Sequence, residues 1–520
     1  MQMIKTLFGP LGAGAGALLL AAANLASYVA GLVRDLVLAS TFGAGQATDA
    51  FFAGFLIPDF LFNFLVLGFV SGALLPVFLS TAEKSRAQAA AVFQSFLTLV
   101  AVMTTGFAIA AYLLAPWLIG IFFGGLPDGS MRPQTELDEI TDITRILLLS
   151  PILFGISNSL GMILLAKRRF LSIAVSPVLY NLGIILGIVL CGDRYGIIAA
   201  AWGAVGGAGL HLLSRALDFP ATGVYIRPRL RLSPGLIKII RLGIPKTLGL
   251  VAFQLVLVTF AYLATRTETG GLAAWNLARN VQSLPVSLFG IAFATAALPF
   301  LSSLQVADDT VGFRHRLQKS AVQILTFTLP AGIGLLLVAH ETVEVLFQRG
   351  AFTLEDAMIT TAVLTWVSLA IPFEALSHLF ARAFLAQHNT IIPALGKLLF
   401  LAIAAGSAWL LTPHLGMRAF GIAFALAAAG EIIWLLGVFC VRYGSVFSAD
   451  MMRSLAKVAL ATVLITATVV GFLEAGAALN AFGRLGGAIF FGAVVYFAAI
   501  LGLRVPEVRE VFLFRRNRQA

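Results

Sequence analysis

Runs of about 20 apolar residues recur along nearly the whole chain, each long enough to cross the ~30 Å hydrocarbon core of a bilayer as a helix. Lipid offers no hydrogen bonds, so segments of this kind must satisfy their own backbone groups and are helical. Fourteen spans are predicted, at about 15–38, 49–80, 88–115, 141–166, 171–191, 196–217, 244–265, 272–303, 319–340, 358–386, 391–412, 418–440, 454–475 and 485–503. Only 11% of the 520 residues are charged, against about 25% in a soluble domain. The expected fold class is therefore an all-α polytopic membrane protein. Cys191 and Cys440 are the two cysteines, far apart in sequence, and form neither a disulfide framework nor a metal motif. The first span runs on after Lys5 without a clear cleavage site, which reads as a retained span and not a secretory signal.

A net charge of +11 suggests nucleic-acid binding until its distribution is considered. With the loops numbered alternately, 22 of the 35 Lys and Arg fall on one side, among them Lys5, the Lys167-Arg168-Arg169 run, Arg227, Arg229, Arg231 and the tail RRNRQA. Six fall in loops of the other side: Arg132, Arg194, Arg266, Arg349, Arg418 and Arg484. This asymmetry orients a membrane protein, with both termini cytoplasmic. The basic charge is assigned to orientation and to anionic lipid headgroups; no nucleic-acid partner is expected.

The chain repeats itself. SGALLPVFLST (71–81) resembles ATAALPFLSSL (294–304) with Pro76 on Pro299, and IGIFFGG (119–125) resembles VEVLFQRG (343–350). SPILFGISNSLGMILLAKRRF (150–170) follows the hydrophobic outline of IPFEALSHLFARAFLAQHNTI (371–391), with Pro151 on Pro372. The offsets are 223, about 224 and 221. Each copy holds six spans, an even number, so the copies share orientation and a pseudo-two-fold axis along the membrane normal. The expected organisation is an N-terminal six-helix lobe (1–217), a basic cytoplasmic linker (218–243), a C-terminal six-helix lobe (244–440), and two further helices with a basic tail (441–520). Two facing lobes would enclose a central cavity, the plan of an alternating-access transporter.

Charges at bilayer depth are costly and normally face a cavity or a partner. Arg34 and Asp35, near the outer end of span 1, are either an interface pair or cavity-lining. Asp49 opens span 2, where it either caps that helix or faces the cavity. Asp59 follows Pro58 and has Asn63 one turn later on the same face; it faces the cavity or makes a buried hydrogen bond. Span 8 holds Arg279, Asn280 and Gln282 above Pro285. A guanidinium there suits an anionic substrate, because it grips phosphate through paired hydrogen bonds; the alternative is snorkelling to the interface. In span 10, Glu374, His378 and Arg382 form one stripe at i, i+4 and i+8, as a salt-bridge ladder or a cavity-lining relay. Glu431 in span 12 is a candidate proton or cation site. The chain carries no P-loop, no G-x-S-x-G and no HExxH. It reads as a transporter and not an enzyme, with no cofactor and no metal site.

RDLVLASTFGAGQATDAFFAGFLIPDFL (34–61), VLFQRGAFTLED (345–356), FARAFLAQHNTIIP (380–393) and the span-8 stretch through SLFGIAFATAALPFLS are similar to the MurJ/MviN lipid II flippases. These belong to the multidrug/oligosaccharidyl-lipid/polysaccharide exporter superfamily. The resemblance runs over most of the chain and implies two six-helix lobes plus two helices forming a lipid groove. It implies movement of undecaprenyl-diphosphate-linked disaccharide-pentapeptide from the inner to the outer leaflet of the cytoplasmic membrane, in service of peptidoglycan synthesis. The family's span-1 Arg-Asp falls on Arg34 and Asp35, and the aspartate before its paired phenylalanines on Asp49. Elsewhere the chain departs from the pattern. A span-1 arginine falls on Tyr28, the span-2 arginine pair on Phe62 and Asn63, the asparagine after proline on Asp59, and a frequent span-8 acidic residue on Gln282. The implied cavity keeps Arg34 and Arg279 as cations for the diphosphate, with Asp59 and Asn63 shaping it.

The expected function is a lipid II flippase working by alternating access, with membrane lipids and cell-wall synthesis proteins as further partners. Two rivals stand beside it. An exporter of another polyprenyl-linked glycan, or a small-molecule antiporter, would use Asp59 or Glu431 as coupling carboxylate. A non-transporting cell-envelope scaffold would tolerate loss of the cavity charges but not of exposed loops.

Overall fold

A computed structural model describes residues 12–68, 74–126 and 129–507. Lys5, the RRNRQA tail and positions 71–73 of the SGALLPVFLST repeat lie outside the described residues. Among the described residues twelve helices are long and apolar enough to cross a membrane, or thirteen if Leu354–Val367 and Ala370–Ala386, bent by 47°, form one span. The remaining expected span is the helix Ile198–Asp218. Glycine and alanine dilute its apolarity, and it carries His211, Arg215 and Asp218, all buried. It packs closely on Leu171–Tyr195 because glycines line the seam: a Cβ on Gly183 would lie 2.3 Å from the Gly207 Cα, and one on Gly187 2.7 Å from the Gly203 Cα. Helices associate in lipid through such small residues, which let backbones approach.

Contacts divide the chain into two compact units, Met1–Ala273 with Arg349–Phe352, and Ala274–Gln348 with Thr353–Ala520. The first unit has an apolar core of Phe93, Phe96, Leu160 and Ile163. It also takes the helix Pro234–Ala264, which packs on Gln46–Phe62, Arg86–Phe123 and the segment Asn63–Leu67. The repeat pattern had begun the second lobe at 244, so this helix is grouped differently by packing than by homology between copies. It also starts earlier than hydropathy suggests. Ser233 accepts a hydrogen bond from the Leu236 N–H (3.3 Å), and Pro234 occupies the first turn, where its missing N–H costs nothing. The expected linker thus shrinks to a short 3-10 turn, Phe219–Thr222, and an extended stretch. That stretch is tied to Arg86–Phe123 by Gln94 Nε2 donating to the Tyr225 carbonyl (2.9 Å) and by the Arg229 N–H donating to Thr98 Oγ1 (3.0 Å).

The second unit centres on Leu317, Phe380, Phe384 and Phe439. The two last helices, Ala449–Ala475 and Ala481–Gly502, belong to it: the first packs along Thr310–Leu337, and the Tyr496 hydroxyl of the second donates to the Thr326 carbonyl. Arg484 pairs with the buried Glu341 at 2.6 Å. Each unit also carries a π-helical segment, Asn63–Leu67 in one and Val286–Ile291 in the other. Their starts, Asn63 and Val286, are 223 residues apart, the offset that relates Pro76 to Pro299. The duplication is therefore visible in a backbone irregularity as well as in sequence, and such irregularities concentrate at functional sites.

Candidate functional site

In the first unit Arg34 lies on the helix Ala13–Phe42 and donates to its own neighbour, from Nε (2.9 Å) and Nη2 (2.6 Å) to Asp35 Oδ1. Adjacent helical residues point apart, so the guanidinium folds back along the helix to make this contact. Asp35 is 1% exposed, and a carboxylate so buried needs a charged partner. Arg34 Nη1 also donates to Asn181 Oδ1 (3.3 Å), and Asn181 is itself held by donating to the Pro177 carbonyl (3.1 Å). Asp59 is exposed and lies within electrostatic reach of Arg34 and Tyr180. Asn63 donates to the Asp59 carbonyl (2.8 Å) and to Gln254 Oε1 (3.2 Å). Its amide therefore serves the irregular turn after Pro58.

Asp49 corrects an expectation. It sits in the first turn of its own helix, Gln46–Phe62, yet makes no cap there. Its carboxylate instead accepts from the N–H of Gly270 and of Ala273, both at 2.8 Å. These are free donors at the start of the helix Gly271–Pro285. The residue is 5% exposed, so it is occupied in capping a segment 221 positions away and is not open to substrate.

In the second unit Arg279, on Gly271–Pro285, donates from Nη2 to Glu374 Oε1 at 2.7 Å. Its Nη1 donates to Gln282 Oε1, and Gln282 Nε2 closes the ring on Glu374 Oε2 at 3.2 Å. The guanidinium carbon lies 4.6 Å from the Phe424 ring centre, a cation–π stack. Asn280, one residue on, is exposed. Glu374 thus pairs away from its own stripe. Arg382, two turns along, donates to Thr295 Oγ1 (2.7 Å), so the Glu374–His378–Arg382 ladder is not formed between its ends. Glu431, 1% exposed, is bound by Lys397 Nζ at 2.8 Å. A carboxylate already neutralised by an ammonium is a poor site for a second cation.

Sequence reasoning had missed Lys397, Gln282's bridging role and a buried polar cluster in the first unit. There Arg215, 5% exposed, donates to Ser176 Oγ (3.0 Å), Asn158 Oδ1 (3.0 Å) and the Ser157 carbonyl (3.1 Å). Ser157 also bonds His211 Nδ1 at 2.8 Å. A lone lysine inside the apolar run GKLLFLA was a legible signal for Lys397. Arg215 gave none, since it stands where a span meets its basic end. Among the described residues no group of three or more His, Cys, Asp or Glu could hold a metal ion.

Two units of membrane-crossing helices, each with an arginine paired to a carboxylate within its spans, describe a multi-pass membrane transporter. The family model "Lipid II flippase MurJ" matches residues 38–482. The chain belongs to that family: it is a lipid II flippase MurJ family transporter, a membrane protein of peptidoglycan biosynthesis, and not an enzyme. A probable lipid II flippase MurJ of Thermotoga maritima is 26% identical over 378 residues, covering 72% of this chain and 75% of the relative. One from Aquifex aeolicus is 26% identical over 424 residues, covering 79% and 80%. Among solved structures, one titled "Lipid II flippase MurJ, inward closed conformation" superposes with TM-score 0.79 at 21% identity, covering 96% of this chain and all of that one. An inward-facing multidrug resistance MATE transporter superposes with TM-score 0.67 at 14% identity, over 81% of this chain and 95% of its own. Both likenesses show the fold.

Proposed function

We propose that this chain moves lipid II, the undecaprenyl-diphosphate-linked disaccharide-pentapeptide, from the inner to the outer leaflet of the bacterial cytoplasmic membrane by alternating access. Both termini then lie in the cytoplasm, a placement supported by the asymmetric distribution of Lys and Arg. The observation that carries the reading is the family match over residues 38–482. It is supported by a partly exposed arginine paired to a carboxylate within the spans of each unit, Arg34 at 21% and Arg279 at 16% side-chain exposure. Both are proposed to meet the diphosphate through charge-assisted hydrogen bonds. Asp59, within electrostatic reach of Arg34, and Asn280, next to Arg279 in the chain, are exposed and are proposed as further substrate contacts. Asp35 and Asn63 hold it in shape, and Asp49 acts as a cap.

The test is replacement of the essential lipid II flippase of a bacterium by this chain while the native protein is depleted. Lipid II accessible on the outer leaflet is the readout. Restored accessibility, lost with Arg279→Ala at normal protein level, supports the reading. Normal insertion without restored accessibility overturns lipid II as the substrate and favours another polyprenyl-linked glycan.

A further inference from the structure

The two arginines differ in how their charge is neutralised, and in the second unit the difference has a use. Arg279 and Glu374 stand on separate helices, Gly271–Pro285 and Ala370–Ala386. Glu374 is fixed in place by its own helix, whose Ala375 abuts the π segment: a Cβ on Gly290 would lie 2.6 Å from the Ala375 Cβ. Arg279 keeps two further supports, the Phe424 ring on Arg418–Tyr443, which does not touch Glu374 through any hydrogen bond, and Gln282 on its own helix, which accepts from Arg279 as well as donating to Glu374. The guanidinium would therefore stay in position if the carboxylate contact were broken.

We propose that Glu374 is an exchangeable counter-ion for Arg279, holding its charge in the substrate-free protein and yielding it to the diphosphate of the substrate. This rests on the reading of Arg279 as a diphosphate contact. An unpaired guanidinium within a span is costly, so some anion must occupy it in every state. The diphosphate, a planar-matched and multiply charged acceptor, replaces the carboxylate through the same donors. Glu374 does not then stand alone, because His378, one turn along, and Lys397 are within electrostatic reach of it. Return of Glu374 to Arg279 afterwards displaces the diphosphate and drives release. Glu374 is thus a positioning residue: it sets the affinity of Arg279 for the substrate without itself touching it.

Full-length protein in nanodiscs would be titrated with lipid II, and flipping followed in proteoliposomes, with thermal melting as the check on folding. Glu374→Gln keeps the shape and removes the competing charge. It is expected to tighten lipid II binding about tenfold, or ~1.4 kcal/mol, and to slow turnover. Adding Gln282→Glu returns a carboxylate beside Arg279 and should restore wild-type affinity. Unchanged or weakened binding by a folded Glu374→Gln protein overturns the proposal. Should that variant fail to fold, the double variant decides: wild-type affinity supports exchange, and reduced affinity overturns it. Arg279→Ala separates the two layers. Wild-type lipid II affinity without Arg279 removes the underlying reading, whereas lost affinity together with an unresponsive Glu374→Gln removes only the role of Glu374.

Discussion

In the first unit Arg34 is paired with its chain neighbour, Asp35; in the second Arg279 is paired with Glu374, 95 positions away on another helix. The first pair cannot be separated by any movement of helices, because one helix carries both charges. Its net charge is close to zero in every state, and Asn181 fixes its direction. The second pair comes apart whenever the two helices shift or a better anion arrives. One unit therefore offers a constant dipole-like contact and the other a charge that can be switched. The two arginines are not counterparts under the repeat, since the 223-residue offset carries Arg34 to Leu257 and Arg279 back to Leu56, so each unit places its cation at a position of its own.

The largest effect that would break this comparison is on transport. Arg279→Ala is expected to lower flipping at least ~100-fold, from lost charge-assisted contacts of about 1.5–3 kcal/mol each. Arg34→Ala together with Asp35→Asn should fold, because no buried charge is left unpaired, yet transport poorly. Equal flipping by that double variant and wild type would show that Arg34 serves structure alone. The next effect is on stability. Lys397→Met leaves Glu431 buried and unpaired and should cost about 3–5 kcal/mol, read as a fall in melting temperature. Lys397→Met with Glu431→Gln should recover most of that loss and retain flipping. Loss of flipping in that folded double variant would make the Lys397–Glu431 pair a coupling site after all.

A smaller effect is expected at Asp49→Asn, which keeps the shape but weakens two hydrogen bonds to backbone N–H groups, at about 1–3 kcal/mol. The smallest is Ser233→Ala, removing one N-cap at about 1 kcal/mol; hydrogen exchange at the start of Pro234–Ala264 would report it. A Ser233→Ala loss as large as that of Asp49→Asn would mean that the extended stretch before Ser233 is more than a tether.

Much of this was legible in sequence. Long apolar runs gave the spans, and the repeat offset gave the duplication, because both are patterns of local composition. The bond from Arg279 to Gln282 was also readable, since residues three apart share a helix face. The span Ile198–Asp218 was read correctly as a helix although its polar residues weaken its hydropathy, and the structure gives those residues buried partners. The site was harder. Asp49 looked like a cap on the helix it begins, and local rules could not reveal that its carboxylate serves Gly270 and Ala273 instead. Glu374 read as the head of a stripe with His378 and Arg382, whereas its partner comes from a helix 95 positions earlier.

The sequence by itself determined that the chain is helical and membrane-crossing, that it is duplicated, and which family it belongs to, because lipid forces each span to satisfy its backbone alone. Tertiary structure decided who neutralises whom. A charge within a span has a single overriding need, an opposite charge within hydrogen-bond reach. Arg34 finds Asp35 beside it in the chain, but Glu374 for Arg279 and Lys397 for Glu431 depend on which helix faces pack together, and that is not written in any one span.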